Sequence, residues 1–369
     1  MSQPGTGPLD RADLRARADK ALREFLTAQQ PRLGAIGDEL SPMLEAVEAF
    51  VLDAGKRLRP AFAYWGWRAA GGPDSDGVVK AAASLELLHA CALIHDDVMD
   101  GSDTRRGQPA VHRRFAALHR GSAWLGDPES FGTSAAILIG DMCLVWADQM
   151  LGESGLPPEA LNRGQHVYDE MRAELMAGQY LDMLEQAVGG QQQTGQSVDR
   201  ALRVARFKTA KYTVERPLHL GAALAGAPAE AEAVQINQAL SGYGLPLGAA
   251  FQLRDDVLGV FGDPEQTGKP AGDDLREGKR TVLIAATLDR ATPAQATLVR
   301  RHLGDPHLTV EGVAELRAVI TETGALAQVE QLISDRLEES LAALAAAGFP
   351  AEPAEVLAEL AVAATARRV

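Results

Sequence analysis

Two aspartate clusters, each inside an apolar stretch with helical spacing, constrain the fold of this chain more than any other feature. One reads Leu-Ile-His-Asp-Asp-Val-Met-Asp at residues 93–100, and the other reads Phe-Gln-Leu-Arg-Asp-Asp-Val-Leu at residues 251–258. Carboxylates are rarely buried unless they are paired or bind metal, because removing water from a charge costs free energy and neighbouring like charges repel. A divalent cation removes both penalties. The pattern therefore predicts two helices that hold metal between them.

The spacing inside the clusters indicates which carboxylates bind the metal. Asp96 and Asp100 are four residues apart, so on a helix they share a face, about 6 Å apart along the axis. Asp97 is rotated by about 100° and is expected to be a weaker or outer ligand. Asp255 supplies a further ligand from the second helix. Ligation by oxygen alone, with few protein ligands, favours Mg2+. The alternative for one cluster alone is a helix cap or a solvated helix end.

Basic residues occur in four groups: one before the first cluster, one directly after it, one in the middle of the chain and one after the second cluster. They are Lys56, Arg57 and Arg59, Arg105 and Arg106, Lys208 and Lys211, and Lys269, Lys279 and Arg280. Arginine binds phosphate oxygens through two hydrogen bonds, and lysine contributes a compact charge. Each group alone is most often a solvated helix end. Together with the carboxylates they indicate a diphosphate site in which metal bridges acid to phosphate.

The composition is that of an ordinary soluble globular protein and excludes one class of function. Of 369 residues, 46% are hydrophobic and 23% are charged, and the formal net charge is -14. This acidic balance argues against a general nucleic-acid binder. Cys91 and Cys143 lie in apolar helical patterns, which indicates core thiols in a reducing compartment. No signal peptide and no uninterrupted apolar stretch of roughly 18 residues is visible. We therefore expect a cytoplasmic protein without a transmembrane segment.

Apolar positions recur at three- and four-residue intervals along nearly the whole chain, which predicts an all-α protein. The predicted helices are 10–29, 37–53, 58–71, 75–100, 133–152, 157–188, 198–224, 229–261, 276–290, 292–303, 309–345 with a break near Gly324, and 351–366. Loops are predicted at 119–133, 189–195 and 262–272. Because none of the loops resembles an interdomain linker, we expect a single-domain helical bundle over residues 1–369, with about 1–12 flexible.

A series of short motifs, in order along the chain, resembles those of the trans-isoprenyl diphosphate synthases, or polyprenyl synthetases. The resemblance is strongest to bacterial geranylgeranyl diphosphate synthases and extends over about residues 55–281. The motifs are Gly-Lys-Arg-Leu-Arg-Pro at 55–60, Leu-Leu-His at 87–89, Asp-Asp-Val-Met-Asp at 96–100, Arg-Arg-Gly at 105–107, Lys-Thr at 208–209, Phe-Gln-Leu-Arg-Asp-Asp at 251–256, Gly-Lys-Pro at 268–270 and Gly-Lys-Arg-Thr at 278–281.

The resemblance implies the isoprenoid synthase fold, an all-α bundle with a deep central cavity, in a homodimer. It implies that isopentenyl diphosphate extends an allylic prenyl diphosphate, with three Mg2+ ions as cofactor. The metal ligands would be Asp96, Asp100 and Asp255, supported by Asp97 and Asp256. The allylic diphosphate would be bound by Arg105, Lys208 and Lys269, and isopentenyl diphosphate by Lys56, Arg59, His89 and Arg106. Lys279 would also bind substrate, while Thr209 and Gln252 would present oxygens to the developing allylic cation.

The implied chemistry agrees with these residue types. The allylic carbon–oxygen bond breaks heterolytically, and the metal ions and cationic side chains stabilise the charge on the leaving diphosphate. The homoallylic double bond then attacks and a proton is lost. In the family the departing diphosphate takes this proton, so we assign no protein base.

The sequence departs from the family pattern at one position. The second aspartate motif commonly ends in aspartate, but this chain has Gly259 there. Because the pair of Asp255 and Asp256 is retained, we expect weaker support for the metal rather than its loss. His95, beside the first motif, is expected to be a neutral core histidine.

Small residues precede the first cluster where the product chain is expected to extend. Cys91 and Ala92 lie five and four residues before Asp96. In the family, bulky aromatic side chains there stop short products, so we expect a product longer than farnesyl, namely geranylgeranyl diphosphate. The alternative is that these small residues serve helix packing and another side chain limits chain length. Farnesyl or longer polyprenyl products therefore stay open.

Two other functions are compatible with an aspartate-rich helix. A class I terpene cyclase would carry an Asn/Asp, Ser and Glu metal triad on the second helix, where this chain has Asp255 and Asp256. A cyclase also has no use for the isopentenyl-binding cations. A non-catalytic subunit of a prenyl synthase usually lacks the aspartates or arginines that this chain retains. The preferred allylic starter and the pathway are not evident from the sequence.

Overall fold

The computed structural model describes residues 7–8, 11–52, 55–188, 197–263 and 272–366. Within these ranges the backbone is almost entirely helical, which confirms the all-α prediction. The exception among the described residues is a small antiparallel pair of strands, β1 (Thr104–Arg105) and β2 (Gln108–Pro109). Two-residue strands are too short to give an alternating pattern, which explains why the sequence showed no strand signal.

The chain divides into two compact units. Unit 1 consists of Met1–Gly164 and Gly221–Gly226, and unit 2 of Gln165–Leu220 and Ala227–Val369. The prediction of one domain over residues 1–369 stays a prediction, as does that of a central cavity.

Unit 1 is built around one long central helix. Its helices are α1 (Leu14–Gly34), α2 (Ser41–Leu52), α3 (Leu58–Ala69), α4 (Asp76–Asp100), α5 (Val111–Gly121) and α6 (Pro128–Gly152). Helix α4 packs against α1, α3 and α6. It begins where the Ser75 hydroxyl accepts a hydrogen bond from the Val78 amide, 3.3 Å away, and ends where Gly101 has a φ of 67°. A serine N-cap and a left-handed glycine satisfy the free backbone groups at the two ends of a helix.

Two helices of unit 1 have the length and composition of membrane-spanning helices. They are α4, whose apolar window is 72% buried within the protein, and α6, whose window is 39% buried. Burial accounts for the apolar character of α4, since a core helix is apolar around most of its circumference. Helix α6 instead leaves an apolar stripe exposed.

Unit 2 is organised around α10 (Glu230–Phe261). The preceding elements are α7 (Pro158–Val188), α8 (Ser197–Val204), a π-helix (Ala205–Glu215) and α9 (Arg216–Ala225); α7 and α9 each contain residues of both units. The following helices are α11 (Asp273–Arg276), α12 (Val282–Arg290), α13 (Pro293–His302), α14 (Val310–Glu322), α15 (Ala325–Ala346) and α16 (Ala351–Thr365). Helix α10 packs against the π-helix, α11, α12, α15 and α16.

Several predicted boundaries differ from the observed ones for identifiable reasons. The predicted loop 119–133 is shorter, because Asp127 caps α6 through the Ser130 amide at 2.8 Å and Pro128 occupies the first helical turn. Helix α5 was missed altogether. The predicted helix 198–224 contains the π-helix in its middle. The predicted break near Gly324 is confirmed, with a φ of 76° at that residue. The predicted loop 189–195 lies outside the described residues, as does most of 262–272.

Candidate active site

The first aspartate cluster lies in the last turn of α4. Asp96 and Asp97 are buried and Asp100 is partly buried. The Arg105 guanidinium donates to Asp97 Oδ1 from Nε at 2.8 Å and, more closely, from Nη2, which also lies 3.6 Å from Asp96 Oδ2. Asp97 therefore orients Arg105. Its expected role as an outer metal ligand stays a prediction.

The two neighbouring arginines lie at the start of a tight turn: Arg105 ends β1 and Arg106 is the first residue of the turn. Arg106 and Gly107, the central residues between β1 and β2, both have positive φ, 54° and 74°. This pattern is typical of the two-residue hairpin turns that match strand twist. It directs Arg105 to the aspartates, while Arg106 donates to the Phe50 carbonyl at 3.1 Å and lies over the Phe50 ring at 5.5 Å. The turn thus allows two adjacent arginines to contact different parts of unit 1.

A second basic group surrounds His89 on α4. Burial lowers the pKa of His89 well below its ordinary 6.5, and the charges of Arg59, Arg106, Arg105 and Arg57 lower it further. Four guanidinium groups therefore lie within electrostatic reach of a neutral imidazole. This group includes three of the four residues predicted to bind isopentenyl diphosphate. The fourth, Lys56, is exposed.

The neutral state of His89 predicts a pH-dependent stability. Below the ordinary pKa near 6.5 the unfolded chain binds a proton that the folded chain does not, so stability falls as the pH is lowered. One such group contributes at most about 1.4 kcal/mol per pH unit. We expect His89→Gln to lose less stability than the wild type between about pH 7 and pH 5 in urea denaturation. The exposed His307 supplies a control, His307→Gln, with the wild-type slope. Equal slopes for His89→Gln and wild type would contradict this assignment.

Arg57, in the middle of the basic motif, turns into the protein interior. It is 4% exposed and has a φ of 54°, which is uncommon for a residue with a side chain. Its guanidinium donates to Asp19 Oδ1 at 2.7 Å, to Glu86 Oε2 at 2.7 Å and to the Val51 carbonyl at 2.8 Å. These partners lie on α1, α4 and α2. Arg57 therefore joins three helices at the point where the basic motif leads into α3.

The predicted chain-length residues lie within helix α4. Cys91 is fully buried, and its Sγ lies 3.8 Å from Nδ1 of His95; Ala92 is partly buried. Burial raises the pKa of the Cys91 thiol to about 12. His95 Nε2 lies 3.1 Å from the Ile137 carbonyl of α6, so this ring forms a contact between the two helices. The thiol is thus neutral, and position 91 faces the protein interior.

The second aspartate cluster lies on α10 in unit 2. The Gln252 amide donates to Asp256 Oδ1 at 2.6 Å. Burial is the main cause that raises the pKa of Asp256 to about 8; the Gln252 hydrogen bond opposes the shift, and the carboxylates of Asp274, Asp255 and Asp182 add to it. The amide nitrogen of Gln252 is thus engaged by Asp256, and its carbonyl oxygen is the end that can face a cation. Asp255 itself is partly buried.

Lys208 and Thr209 lie in the π-helix. Glycines on α7 and α10 allow this helix to pack closely against both of them. A Cβ at Gly178 of α7 would lie 2.5 Å from the Lys208 backbone nitrogen, and one at Gly248 of α10 would lie 2.5 Å from the Ala210 Cα. No side chain fits at either contact. The Lys208 ammonium lies 2.6 Å from Asp182 Oδ2 on α7.

Sequence reasoning missed Asp182. It lies four residues after Gly178, in the run Gly-Gln-Tyr-Leu-Asp at residues 178–182. A lone aspartate of this kind carries no signal until its lysine partner is known.

The remaining predicted lysines follow the second cluster. Lys279 Nζ lies 2.7 Å from Glu277 Oε2 and 3.9 Å from Asp274 Oδ1, so its charge faces carboxylates. Lys269 lies outside the described residues. The roles of all predicted site residues stay predictions, as does the expectation that the two aspartate clusters oppose each other.

The donor atoms available suit a hard divalent cation with few protein ligands. Within the described ranges, no three acidic, histidine or cysteine side chains converge as a ready-made metal site. Mg2+ does not require such a cage, since it commonly binds one or two carboxylates, substrate phosphates and several waters. The carboxylates of unit 1 and unit 2 therefore each fit a magnesium–diphosphate group.

Comparison with known proteins supplies the family. Residues 41–320 match the polyprenyl synthetase family. The chain is 34% identical to geranylfarnesyl diphosphate synthase of Aeropyrum pernix over 285 residues, which cover 75% of this chain and 78% of that protein. It is also 34% identical to geranylgeranyl diphosphate synthase of Mycobacterium tuberculosis over 292 residues, covering 79% of this chain and 75% of that protein.

The fold is also very similar to that of a solved structure. That structure is geranylgeranyl pyrophosphate synthase from Corynebacterium glutamicum complexed with isoprenyl diphosphate and magnesium. The TM-score is 0.90 at 46% sequence identity, and the match covers 96% of this chain and 99% of the other.

Proposed function

Because the chain belongs to the polyprenyl synthetase family and is a trans-prenyltransferase, we propose that it makes geranylgeranyl diphosphate. The substrates are isopentenyl diphosphate and an allylic prenyl diphosphate, and the cofactor is Mg2+, with three ions. The observation that carries the proposal is the arrangement in unit 1. There, Asp97 holds Arg105 beside buried Asp96, and Arg59 and Arg106 lie within electrostatic reach of neutral His89. One group suits a metal-bound diphosphate, and the other suits a diphosphate held by cations alone.

The side chains divide the work of the reaction. Bound Mg2+ supplies electrostatic stabilisation of the departing diphosphate. Asp96, Asp100 and Asp255 would hold the ions, and Arg105 and Lys208 would bind the allylic diphosphate. The carboxylates of Asp97 and Asp182 hold these two cations in place. Such preorganised cations stabilise developing charge without reorganising during the reaction.

Different residues would bind isopentenyl diphosphate, and they would do so without metal. Arg59, Arg106 and His89 would hold its diphosphate, with Lys56 from the exposed start of the motif. Because His89 is neutral, it would donate a hydrogen bond to the diphosphate without adding charge. The Gln252 carbonyl and the Thr209 hydroxyl would face the allylic cation, and the released diphosphate would take the proton.

A single assay distinguishes this activity from the alternatives. Labelled isopentenyl diphosphate is supplied with dimethylallyl, geranyl or farnesyl diphosphate and Mg2+, and products are separated by chain length. Linear products ending at geranylgeranyl diphosphate are expected. Cyclic hydrocarbons would indicate a terpene cyclase, and an absence of turnover would indicate a non-catalytic subunit. Chelation of Mg2+ is expected to abolish turnover.

The product length can be tested at position 91. The two curated relatives named above make products of different lengths by name, so the chain's own residues must decide. Cys91 is small, fully buried and one turn or so before the first aspartate cluster. We expect Cys91→Phe to shift the main product from geranylgeranyl to farnesyl diphosphate, because the ring would close the space below the growing chain. Cys91→Ala, which removes the thiol without adding volume, should keep the longer product.

The measurement must also distinguish a side chain that limits product length from one that destabilises the protein core. Inserting a ring into a packed interior typically costs about 1–3 kcal/mol. The melting temperature is therefore recorded for both variants. An unchanged product length for a folded Cys91→Phe protein would contradict the role of position 91 and favour the helix-packing alternative.

We further propose that α6 forms the face of a homodimer. Its exposed apolar side chains include Ile137, Leu138 and Val145, which are 44%, 60% and 64% exposed. They follow helical spacing, and a stripe of this kind needs a covering surface. A Leu138→Glu and Val145→Glu double variant is expected to sediment as a monomer, while the wild type sediments as a dimer.

A matched substitution controls for added charge. Ile36 is an isolated apolar residue that is 76% exposed. Ile36→Glu should leave the dimer intact. A dimer that survives both substitutions on α6 would show that another surface mediates assembly. A cytoplasmic location is part of the proposal and is supported by two buried free cysteines, Cys91 and Cys143.

A further inference from the structure

Three arginines from three segments of unit 2 come together beside helix α12. Arg280 lies two residues before this helix, Arg200 lies in α8, and Arg300 lies in the last turn of α13. Burial lowers the pKa of the Arg280 guanidinium; Glu185 opposes this shift, and the charges of Arg300 and Arg200 add to it. Two further positive charges therefore lie within electrostatic reach of Arg280. We call Arg200, Arg280 and Arg300 the arginine cluster.

The packing of α8 against α12 brings Arg200 towards Arg280. The Ser197 hydroxyl, at the start of α8, donates to Asp289 Oδ1, near the end of α12, at 3.0 Å. The two helices pack together along their length and therefore run in opposite directions. The later residues of α8 consequently lie towards the start of α12, which Arg280 precedes.

The end of α13 is held against the turn that leads to Arg280. A Cβ at Gly278 would lie 3.0 Å from the Cα of Gly304, which follows α13 by two residues. Both glycines have positive φ, 73° and 85°, so this close contact between two turns needs glycine on each side. The last turn of α13, with Arg300, is thereby brought next to Arg280.

Carboxylates do not balance the charge of the arginine cluster. Arg200 Nε lies 3.1 Å from Glu185 Oε2 on α7. Within the part of the chain that the structure describes, the side chains of Arg280 and Arg300 form neither an ion pair nor a hydrogen bond. Three cations therefore share one carboxylate, although the chain as a whole has a net charge of -14. Like charges held together are unfavourable unless an opposite charge joins them, so the cluster points to an anionic ligand.

The position of the arginine cluster on unit 2 indicates the chemical class of that anion. Glu185 lies three residues after Asp182 on α7, about one helical turn away. Asp182 in turn lies 2.6 Å from the Lys208 ammonium. The cluster is thus about one turn of α7 from a lysine that would bind the allylic diphosphate. An anion that reaches this lysine passes within the electrostatic field of the arginines.

We propose that Arg200, Arg280 and Arg300 form a further, metal-independent site for a diphosphate group. The identity of the ligand rests on the proposed function, since a prenyltransferase takes up prenyl diphosphates and releases inorganic pyrophosphate. Guanidinium groups bind phosphate oxygens through paired hydrogen bonds, so three of them can hold a diphosphate without a metal ion. Glu185 competes with the diphosphate for Arg200 while the site is empty.

Binding of inorganic pyrophosphate without metal tests the proposal. Calorimetry in excess chelator removes binding that depends on Mg2+, and low ionic strength limits the screening of exposed charges. Arg280→Gln and Arg300→Gln each remove one charge of the cluster. Arg301→Gln is the matched control: it removes the same charge from the same helical turn, but its side chain leaves α13 about 100° away. Arg106→Gln weakens the other group of unit 1 expected to bind diphosphate without metal.

The expected effects differ in size and in sign. We expect two binding events per wild-type subunit, of which Arg280→Gln and Arg300→Gln each weaken one by about tenfold, because a hydrogen-bonded charge is lost. Arg106→Gln should weaken the other event, and Arg301→Gln should change neither by more than about twofold. Glu185→Gln should tighten binding at the cluster by about threefold, because it removes the competing carboxylate. Melting temperatures show whether each variant is folded.

A second titration distinguishes the two sources of the diphosphate group. Geranyl diphosphate replaces pyrophosphate under the same conditions. An equal loss of affinity for both ligands in Arg300→Gln would show that the cluster binds the diphosphate group of either. A loss for pyrophosphate alone would assign the site to the inorganic product.

Three results would overturn the inference. One is wild-type pyrophosphate binding by folded Arg280→Gln and Arg300→Gln proteins. Another is an equal loss for Arg301→Gln, which would show a general effect of charge rather than a site. The third is binding that Glu185→Gln leaves unchanged or weakens. Because binding is measured without turnover, a wild type that binds two pyrophosphates but does not extend prenyl chains would contradict the proposed function and leave the arginine site standing.

Discussion

An Asp100→Asn variant is expected to lose about a thousandfold in kcat while folding at least as stably as the wild type. A metal ion that stabilises a leaving group contributes several kcal/mol to the transition state, and about 4 kcal/mol corresponds to a factor of roughly a thousand. Asn keeps the size of the side chain but removes the charge that attracts Mg2+. Activity is measured as incorporation of labelled isopentenyl diphosphate at saturating Mg2+.

The stability part of this prediction comes from the position of Asp100 in the fold. It is the last residue of α4, where the carbonyl end of the helix dipole is negative. A carboxylate there is unfavourable by about 0.3–1 kcal/mol, so its removal should leave the protein unchanged or slightly more stable. We expect a metal ligand to behave in this way: its carboxylate lowers the stability of the fold but is needed for activity.

The other end of the same helix provides the control. Asp76 begins α4, where a carboxylate is favourable, and it pairs with Arg17 at 2.9 Å. Asp76→Asn should therefore lower stability slightly, by about 0.3–1 kcal/mol, and leave activity intact. If Asp100→Asn retained wild-type turnover, the assignment of the first cluster as the metal site would be wrong, whatever its stability.

The sequence was sufficient to predict the fold class and the family, and it identified α4 and α10 as the helices that carry the aspartate clusters. Long apolar repeats predict helices reliably, and buried aspartates stand out against them. The short helix α5 was missed because its apolar face, which includes Val111 and Phe115, is interrupted by the basic and histidine residues of Val-His-Arg-Arg-Phe. The π-helix could not be predicted, because its side-chain pattern over eleven residues is close to that of an α-helix.

Contacts between distant residues were beyond sequence reasoning for a different reason. Lys56, Arg57 and Arg59 look equivalent as cations in one motif, yet a positive φ at Arg57 turns that side chain into the interior. Asp274 and Gly259 are fifteen positions apart by number, with residues 264–271 between them outside the described structure. Motif spacing identifies ligands on one helix, but it cannot show which residue from elsewhere fills an adjacent space.

Replacing Arg57 by Met is expected to lower the free energy of unfolding by about 3–5 kcal/mol. Burial alone lowers the pKa of the Arg57 guanidinium, but the attraction and hydrogen bonds of Glu86 and Asp19 outweigh it, so the pKa is raised. Glu86 is itself only 5% exposed and would be left as an uncompensated buried charge. Removing one partner of a buried pair is costly for this reason, even where the pair itself contributes little net stability. Urea denaturation measures the loss.

A double substitution separates the charge effect from the loss of packing. Arg57→Met combined with Glu86→Gln should recover much of the stability, because the unpaired charge is removed. Arg17→Met is the matched control: Arg17 also joins α1 to the start of α4, through Asp76, but is more exposed, at 24%. Its loss should be no more than about 1 kcal/mol. Equal losses for the two single variants would show that the buried location of Arg57 has no special importance.

The double variant also tests whether Arg57 positions the isopentenyl site. Glu86 lies one helical turn before His89 on α4, and Arg57 lies between Lys56 and Arg59, so its three helix contacts fix both sets of residues relative to each other. A stable protein without this connection should show a KM for isopentenyl diphosphate raised about tenfold or more, with the KM for the allylic substrate within about twofold. A merely structural defect would alter both constants alike. A selective rise in the KM for isopentenyl diphosphate would therefore identify Arg57 as a positioning residue. An unchanged ratio of the two KM values would show that Arg57 only stabilises the core.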